Sequence, residues 1–441
     1  MHILTVAAKM GGASSYGLSA SNTAEQSLAE RPCFGQMQSP RLLRHEDIRP
    51  RILVFTDWYL PGYKSGGPVR TIANVVEAFG DAVDFRIVTR DRDFGDYSSY
   101  KDVQTNGWSQ SPVGKAQVCY LSKLSIRIIR RRVYETKPDI IYLNSFFSAF
   151  SRAILLLRLV GLIPPTGIIL APRGEFSPGA LRLKPLRKRL YLFLTRKLRL
   201  LGDILWQASS ELERAQIERT ADTCPRVQIA RNLPERMPRL SSADHHKFPG
   251  SCRLAFLSRI SPIKNLEHLL RLITGITGEV CLDIYGPIED RAYWRKCEYA
   301  IARMPSSTTV RYCGPVFHDE VMATIAKYDF LVLPTLGENF GHSIFEALAA
   351  GRPVLISDQT PWRGLAAKNA GWDLPLADAG GWKAALQAIV EMDQSRFDQL
   401  SAGARELATA WLTDAEGLKE TRELLDNALS LQRSLELSRI R

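Results

Sequence analysis

Cysteine is scarce and scattered in this 441-residue chain. The seven cysteines (Cys33, Cys119, Cys224, Cys252, Cys281, Cys297, Cys313) are odd in number and never form a C-x-x-C pair. That pattern argues against a disulfide scaffold and a zinc site, and for a reducing, cytoplasmic compartment. Long apolar runs are also missing. The nearest, Ala153–Ile163, contains Arg158 and is about half of what a bilayer span requires, so it reads as a buried helix. No convincing cleavage site follows the short apolar stretch Ile3–Ala8, and no signal peptide is expected. Histidine is absent from residues 51–230. Only one D-x-D pair occurs, Asp91-Arg92-Asp93, inside a crowded charged loop, so neither a metal nor another cofactor is expected. No nucleic-acid module and no interleaving of aromatic with basic residues stands out, which argues against a nucleic-acid partner.

What is present suits an ordinary globular protein. The length is enough for two domains, and 45% hydrophobic residues can build their cores. The net charge of +12 is uneven: residues 51–230 hold 28 cations against 16 anions, and residues 231–441 hold 25 against 26. A basic first half facing a neutral second half implies an anionic partner for the first. The basic charge peaks in Leu181–Leu200, with eight cations, no anions, and Leu, Tyr and Phe at intervals. Arg127–Arg132 adds more. This composition fits a helix lying on an anionic membrane surface. The competing reading is a core helix with a solvated basic face.

Residues 1–50 are rich in Ser, Ala and Gly, and their HILTVAAKMGGASSY segment has a strand and a glycine turn but no following amphipathic helix. They are expected to be a disordered extension. From Arg51 strands and helices alternate, the mark of parallel sheets. Strands are expected at Ile52–Thr56, Phe85–Thr89, Gln117–Leu121, Ile140–Asn144, Gly167–Ala171 and Ile204–Ala208. Helices are expected at Val69–Phe79, Arg127–Glu135, Ser151–Val160 and Leu186–Leu200. The polar, proline-bearing stretch 234–250 reads as a linker. A second unit over 251–415 has strands at Cys252–Leu257, Val280–Tyr285, Val310–Cys313, Phe330–Leu333 and Val354–Ile356. A Leu-, Glu- and Arg-rich helix, 416–441, ends the chain.

The most informative stretch is LVLPTLGENFGHSIFEALAAGRPVLIS, Leu331–Ser357. An apolar strand stops at Pro334, a loop carries Gly337, Glu338 and Gly341, and a short helix carries Glu346 into a second apolar strand. Loops leaving the carboxyl ends of strands are where ligands bind in open α/β sheets. Backbone N–H groups around Asn339–Gly341, at a helix N-terminus, suit an anion. Two carboxylates beside an anion site do not serve the phosphate, but they can accept hydrogen bonds from sugar or ribose hydroxyls. That combination is what nucleotide-sugar chemistry requires. The plainer reading makes Glu338 a helix cap and Glu346 a solvated helix residue.

Loop, spacing and the ALAAGRPVLIS helix–turn–strand together resemble the E-x7-E signature of the retaining glycosyltransferases of family 4, the glycosyl transferases of group 1. The resemblance extends from about Arg51 onward. It implies a GT-B fold, that is, two facing Rossmann-like domains with a parallel sheet in each, and a nucleotide-sugar donor held mainly by the second domain. It implies that Arg259 and Lys264, in LSRISPIKNLEHLL, grip the donor diphosphate, that Gly66 and Gly67 approach the donor, and that Glu338 and Glu346 serve the sugar hydroxyls and the ribose. Asn339, Phe340, Gly341 and His342 complete the expected donor loop, and Asn265 is an expected helix cap. Ser210 is also expected as a helix cap, with Glu211 in the first helical turn.

Asn144, Arg173 and Glu175 are expected on the acceptor side. For Arg173 and Glu175 the alternative is a structural turn held by an internal ion pair. One departure from the family stands out: its first-domain histidine is missing. A histidine general base from residues 51–230 is therefore excluded, and the strand that would supply it ends Leu143-Asn144-Ser145-Phe146. The expectation is a hexosyltransferase-like enzyme that moves a sugar from a nucleotide-diphosphate donor to a saccharide or lipid-linked acceptor. Bacterial surface-polysaccharide synthesis (lipopolysaccharide or exopolysaccharide) at the inner face of the cytoplasmic membrane, as a peripheral protein, would follow. The alternatives are a nucleotide-sugar epimerase of the same fold and a non-catalytic nucleotide-sugar-binding protein.

Overall fold

A computed structural model describes residues 49–183, 185–221, 225–235 and 245–440. The expected extension 1–50, apart from its last two residues, and much of the 234–250 linker lie outside the described residues.

The first sheet is built from β1 (Arg51–Phe55), β2 (Asp84–Arg90), β3 (Trp108–Gln110), β4 (Gln117–Leu121), β5 (Ile140–Asn144), β6 (Gly167–Ala171), β7 (Ile204–Ala208) and β8 (Arg226–Ile229). Its spatial order is β3-β4-β2-β1-β5-β6-β7-β8. Every pairing is parallel except that of β3, which runs against β4 at the edge. Strands β5, β6 and β7 are buried at every position, because helices cover both faces. That is why they read as continuous apolar runs rather than alternating ones.

The second sheet contains β9 (Ser251–Leu257), β10 (Glu279–Tyr285), β11 (Thr308–Gly314), β12 (Phe330–Leu333), β13 (Val354–Ser357) and β14 (Gly371–Leu374), in the order β11-β10-β9-β12-β13-β14 and parallel throughout. The strand order reverses between β9 and β12 here, and between β1 and β5 in the first sheet. Such reversals open a crevice at the carboxyl ends of the strands.

The unforeseen strands β3, β8 and β14 have the sequences WSQ, RVQI and GWDL. Each is three or four residues long and partly polar, too short for periodicity to register. The expected helix Leu186–Leu200 instead spans Pro185–Lys197, preceded by a short helix Pro178–Arg182.

The terminal helix Glu416–Ile440 returns to the first sheet. Its Leu424, Leu425 and Ala428 join the core of Ile140, Ile169 and Leu205. Arg231 fixes the crossing point, donating to Asp414 and to Glu420, each at 2.8 Å. Among the described residues no helix is long and apolar enough to cross a membrane.

Candidate functional site

The carboxyl edges of the two sheets face each other across a cavity of about 250 Å³. From the first domain it is lined by Tyr63–Thr71, Arg173, Gly174 and Asn232. From the second it is lined by the ends of β9 and β10, the residues after β11, and the loop Gly337–Ser343 with Glu346.

The loops at the second reversal point are tied together. Leu336 N donates to Ile263 O at 2.7 Å and Thr335 Oγ1 to the same oxygen at 3.1 Å. This places Lys264, on a 3₁₀ turn, against Glu338, and the ammonium pairs directly with the carboxylate. The sequence reading assigned these groups to separate parts of a ligand, whereas the structure makes them partners. An ammonium carries three donors, so one pair leaves others for a second anion. Arg259, just past β9, reaches Glu289 at 2.8 Å, and its guanidinium lies 6.0 Å from the Phe94 ring of the first domain. Asn265 does not cap through its side chain; it takes the left-handed φ of 57° between the 3₁₀ turn and the next helix.

Gly66 adopts φ 69°, ψ −132°, a conformation closed to side-chain-bearing residues, and so turns the chain into the helix Gly67–Phe79. A Cβ on Gly67 would come 3.0 Å from His342 Cδ2. His342 is half-buried in this contact, 3.3 Å from Thr71 Oγ1, and desolvation drives its pKa down to about 3. It is therefore a neutral imidazole at pH 7. The helix His342–Ala349 begins at Gly341, itself left-handed at φ 81°. One turn in, Glu346 is buried, and desolvation raises its pKa to about 7. Its Oε1 lies 3.6 Å from His318 Nδ1.

Two residues expected to contact ligand carry structural roles: Phe340 lines the cavity but packs its ring into the second domain, and Glu175 does not line it. The Phe340 ring packs among Phe345, Trp362 and Trp411 in the second domain, and Trp362 Nε1 donates to its carbonyl at 2.6 Å. Its side chain braces the loop from behind. Glu175, expected on the acceptor side, accepts from Ser145 Oγ (2.6 Å), Phe146 N (2.6 Å) and Phe147 N (3.1 Å). Three donors from the end of β5 thus hold its carboxyl beneath the cleft, and burial raises its pKa to about 7.

Arg173 does line the cleft, but without an ion pair to Glu175. Its guanidinium donates to Asn144 Oδ1 (2.8 Å), Tyr142 Oη (2.7 Å) and Asn232 Oδ1 (2.8 Å). Asn144 accordingly sits behind Arg173, buried, rather than in the opening. Ser145 and Arg173, at φ 83° and 55°, are left-handed residues at the adjoining strand ends, where strain at functional clefts concentrates.

Several residues that join the domains were not foreseen. Asn232 Nδ2 donates to Asn339 Oδ1 at 2.6 Å, and Asn339 Nδ2 donates to Ser209 Oγ (2.7 Å) and Glu213 Oε2 (2.6 Å). The signal for Glu213 was present in the spacing of Ser210 and Glu213, which is that of a capping box. Ser210 does cap, accepting from Glu213 N at 3.2 Å, but the Glu213 carboxylate turns to Gly174 N and Ser209 N. In the D-x-D pair, Asp93 accepts from Tyr63 N (2.8 Å) and Lys64 N (3.1 Å), anchoring the loop before Gly66. Among the described residues no group of three His, Cys, Asp or Glu side chains is placed to hold a metal ion.

Two facing Rossmann-like domains with a cleft at their carboxyl edges constitute the GT-B architecture of glycosyltransferases. In comparison with known proteins, residues 251–392 match the family described as Glycosyl transferases group 1. The chain is 39% identical over 89 residues to the phosphatidyl-myo-inositol mannosyltransferase of Mycolicibacterium smegmatis. That match covers 20% of this chain and 23% of the relative, so the chain spans less than a quarter of that protein.

Among solved structures, sucrose-phosphate synthase from Thermosynechococcus elongatus superposes with a TM-score of 0.62 at 16% identity, covering 89% of this chain and 99% of that one. Anabaena HepE in complex with UDP and glucose superposes with a TM-score of 0.61 at 14% identity, covering 86% and 100%. These likenesses establish the fold.

Proposed function

We propose that the protein is a retaining glycosyltransferase of family 4 that moves a sugar from a nucleotide-diphosphate donor to a saccharide or lipid-linked acceptor. One observation carries this reading: Arg259, Lys264, Glu338 and Glu346 line one interdomain crevice, opposite the Gly66–Gly67 turn. The nucleotide is the donor class because a cation pair and a pair of carboxylates lie within one site, and because HepE holds UDP and glucose in a protein of the same fold.

Lys264 and Arg259 stabilise the departing diphosphate as negative charge builds on it. Glu338 and Glu346 orient the hydroxyls of the sugar and the ribose. Residues 51–230 hold no histidine, and His342, with its pKa driven down to about 3, is too weak a base to take the acceptor proton. The bond from the anomeric carbon to the leaving phosphate oxygen breaks as the acceptor oxygen bonds that carbon on the same face. The acceptor proton passes to the leaving phosphate oxygen, which conserves charge and atoms without a metal.

A lipid-linked acceptor and a role in surface-polysaccharide assembly at a membrane rest on the helix Pro185–Lys197. It exposes Leu186 (80%), Leu190 (59%) and Phe193 (58%) among its arginines and lysines. The relative named for phosphatidyl-myo-inositol points to the same acceptor class. The deciding experiment incubates the protein with labelled nucleotide sugars and membrane extract. Label reaching lipid supports the reading. Epimer formation would replace it with a nucleotide-sugar epimerase, and binding without turnover with a nucleotide-sugar sensor.

A further inference from the structure

Glu346 connects to the first domain through a chain of ionisable groups that no sequence motif announces. His318, at the start of the helix His318–Ile325, faces Glu346 Oε1 through Nδ1 at 3.6 Å. Its other ring nitrogen, Nε2, is hydrogen-bonded to Glu235. Glu235 lies on the segment leaving the first domain, and its Oε1 is 3.9 Å from Arg70 Nη1 on the helix Gly67–Phe79. An imidazole fixed by one carboxylate presents its second nitrogen to the next in a set direction. Here the fixing carboxylate belongs to the interdomain segment and the oriented one to the cleft. All three side chains are largely shielded from solvent.

We propose that His318, held by Glu235, is the positioning residue for Glu346, so that this acid is oriented toward the nucleotide only while Arg70 and Glu235 hold the domains closed. The inference rests on the reading of the cleft as a nucleotide-sugar site. It deepens that reading by coupling donor binding to closure. His318 needs no contact with the ligand to act, and Glu235 acts one step further away.

The test measures binding of UDP and of GDP by calorimetry between pH 5.5 and 8.5, using the full chain and the variants His318→Gln, Glu235→Gln, their double, and Glu346→Gln. An ionised Glu346 accepts hydroxyl hydrogen bonds, so wild-type affinity is expected to rise with pH through about 7. His318 and Arg70 pull that midpoint down, while Glu235 raises it. His342 lies on Glu346's own helix, one turn earlier. His318→Gln is expected to weaken binding about tenfold, the scale of one charge-assisted hydrogen bond. It is also expected to move the midpoint to higher pH, which a merely structural role would not do. Glu235→Gln should weaken binding as well, and the double variant no more than His318→Gln alone.

Unchanged affinity and midpoint in His318→Gln, alongside weakened binding in Glu346→Gln, would overturn the inference and leave the site reading intact. Wild-type binding by Glu346→Gln would overturn the role of Glu346 and this inference together. Should His318→Gln not fold, His318→Asn carries the same expectations.

Discussion

Lys264 and Glu338 are ion-paired between the loops that leave β9 and β12, with 10% and 12% of their side chains exposed. Removing one partner of so buried a pair strands the other, at a cost of about 3 kcal/mol. Lys264→Met and Glu338→Gln are each expected to lower the unfolding midpoint, and the double variant to lose less than the sum of the two. Glycosyl transfer should be abolished in all three. Thermal and denaturant unfolding beside a transfer assay separates the two roles: additive losses of stability would mean the pair is not coupled.

Asn339 spans the cleft from the residue next to Glu338, and its amide is shared between Asn232, Ser209 and Glu213 of the first domain. Truncation to Ala leaves the buried Glu213 carboxylate short of one donor, worth about 1.5–3 kcal/mol for a hydrogen bond to a charged group. Asn339→Ala is therefore expected to populate a more open arrangement. Small-angle scattering should report a larger radius of gyration, and kcat should fall about tenfold or more. An unchanged radius would remove the latch role.

The parts of this site legible in the sequence are those carried by local order. Strand, proline, glycine loop and helix follow one another between Leu331 and Ser357, and the structure keeps that order. Lys264 and Arg259 were legible because both follow an apolar strand within a few residues. Asn232, Glu213, Glu235 and His318 were not, because their roles depend on contacts with residues far away in the chain: Asn232 meets Asn339, and Glu235 meets His318. Glu175 misled for the same reason. Its position after β6 is that of a cleft residue, yet the left-handed backbone at Ser145 and Arg173 turns the donors of residues 145–147 toward it.

That burial makes Glu175 a stability switch rather than an acceptor contact. Its pKa is about 7 against an ordinary glutamate value of 4.5, so between those values the folded state holds a proton that the unfolded chain releases. The contribution is complete below about pH 4.5 and is lost as pH rises through 7. A shift of this size corresponds to at most about 3 kcal/mol. Glu175→Gln can preserve every contact: the amide oxygen accepts from Phe146 N and Phe147 N, and the amide nitrogen donates to Ser145 Oγ. The variant should therefore lose less stability than wild type between pH 5 and 7.5 while keeping transfer activity. Loss of transfer with an intact fold would return Glu175 to the acceptor side.

The helix Pro185–Lys197 presents two kinds of surface to solvent at once. Its cations favour an anionic lipid surface by about 1 kcal/mol each near the headgroups. Its exposed Leu186, Leu190 and Phe193 add apolar area that a solvated basic helix would not display. The neighbouring helix Ala149–Leu159 and the turn after it expose Leu156, Leu159, Val160 and Leu162, so the apolar character is not confined to one element. The two contributions separate experimentally. Raising salt screens the cations and leaves the apolar contact, whereas Leu186→Ser with Phe193→Ser does the reverse. Co-sedimentation with phosphatidylglycerol-containing vesicles is expected to exceed that with phosphatidylcholine alone. It should fall with salt in wild type and fall further, at every salt concentration, in the double serine variant. Equal binding to both vesicle types would mean that the basic face is simply solvated, and transfer to a water-soluble acceptor should then proceed as well without membranes as with them.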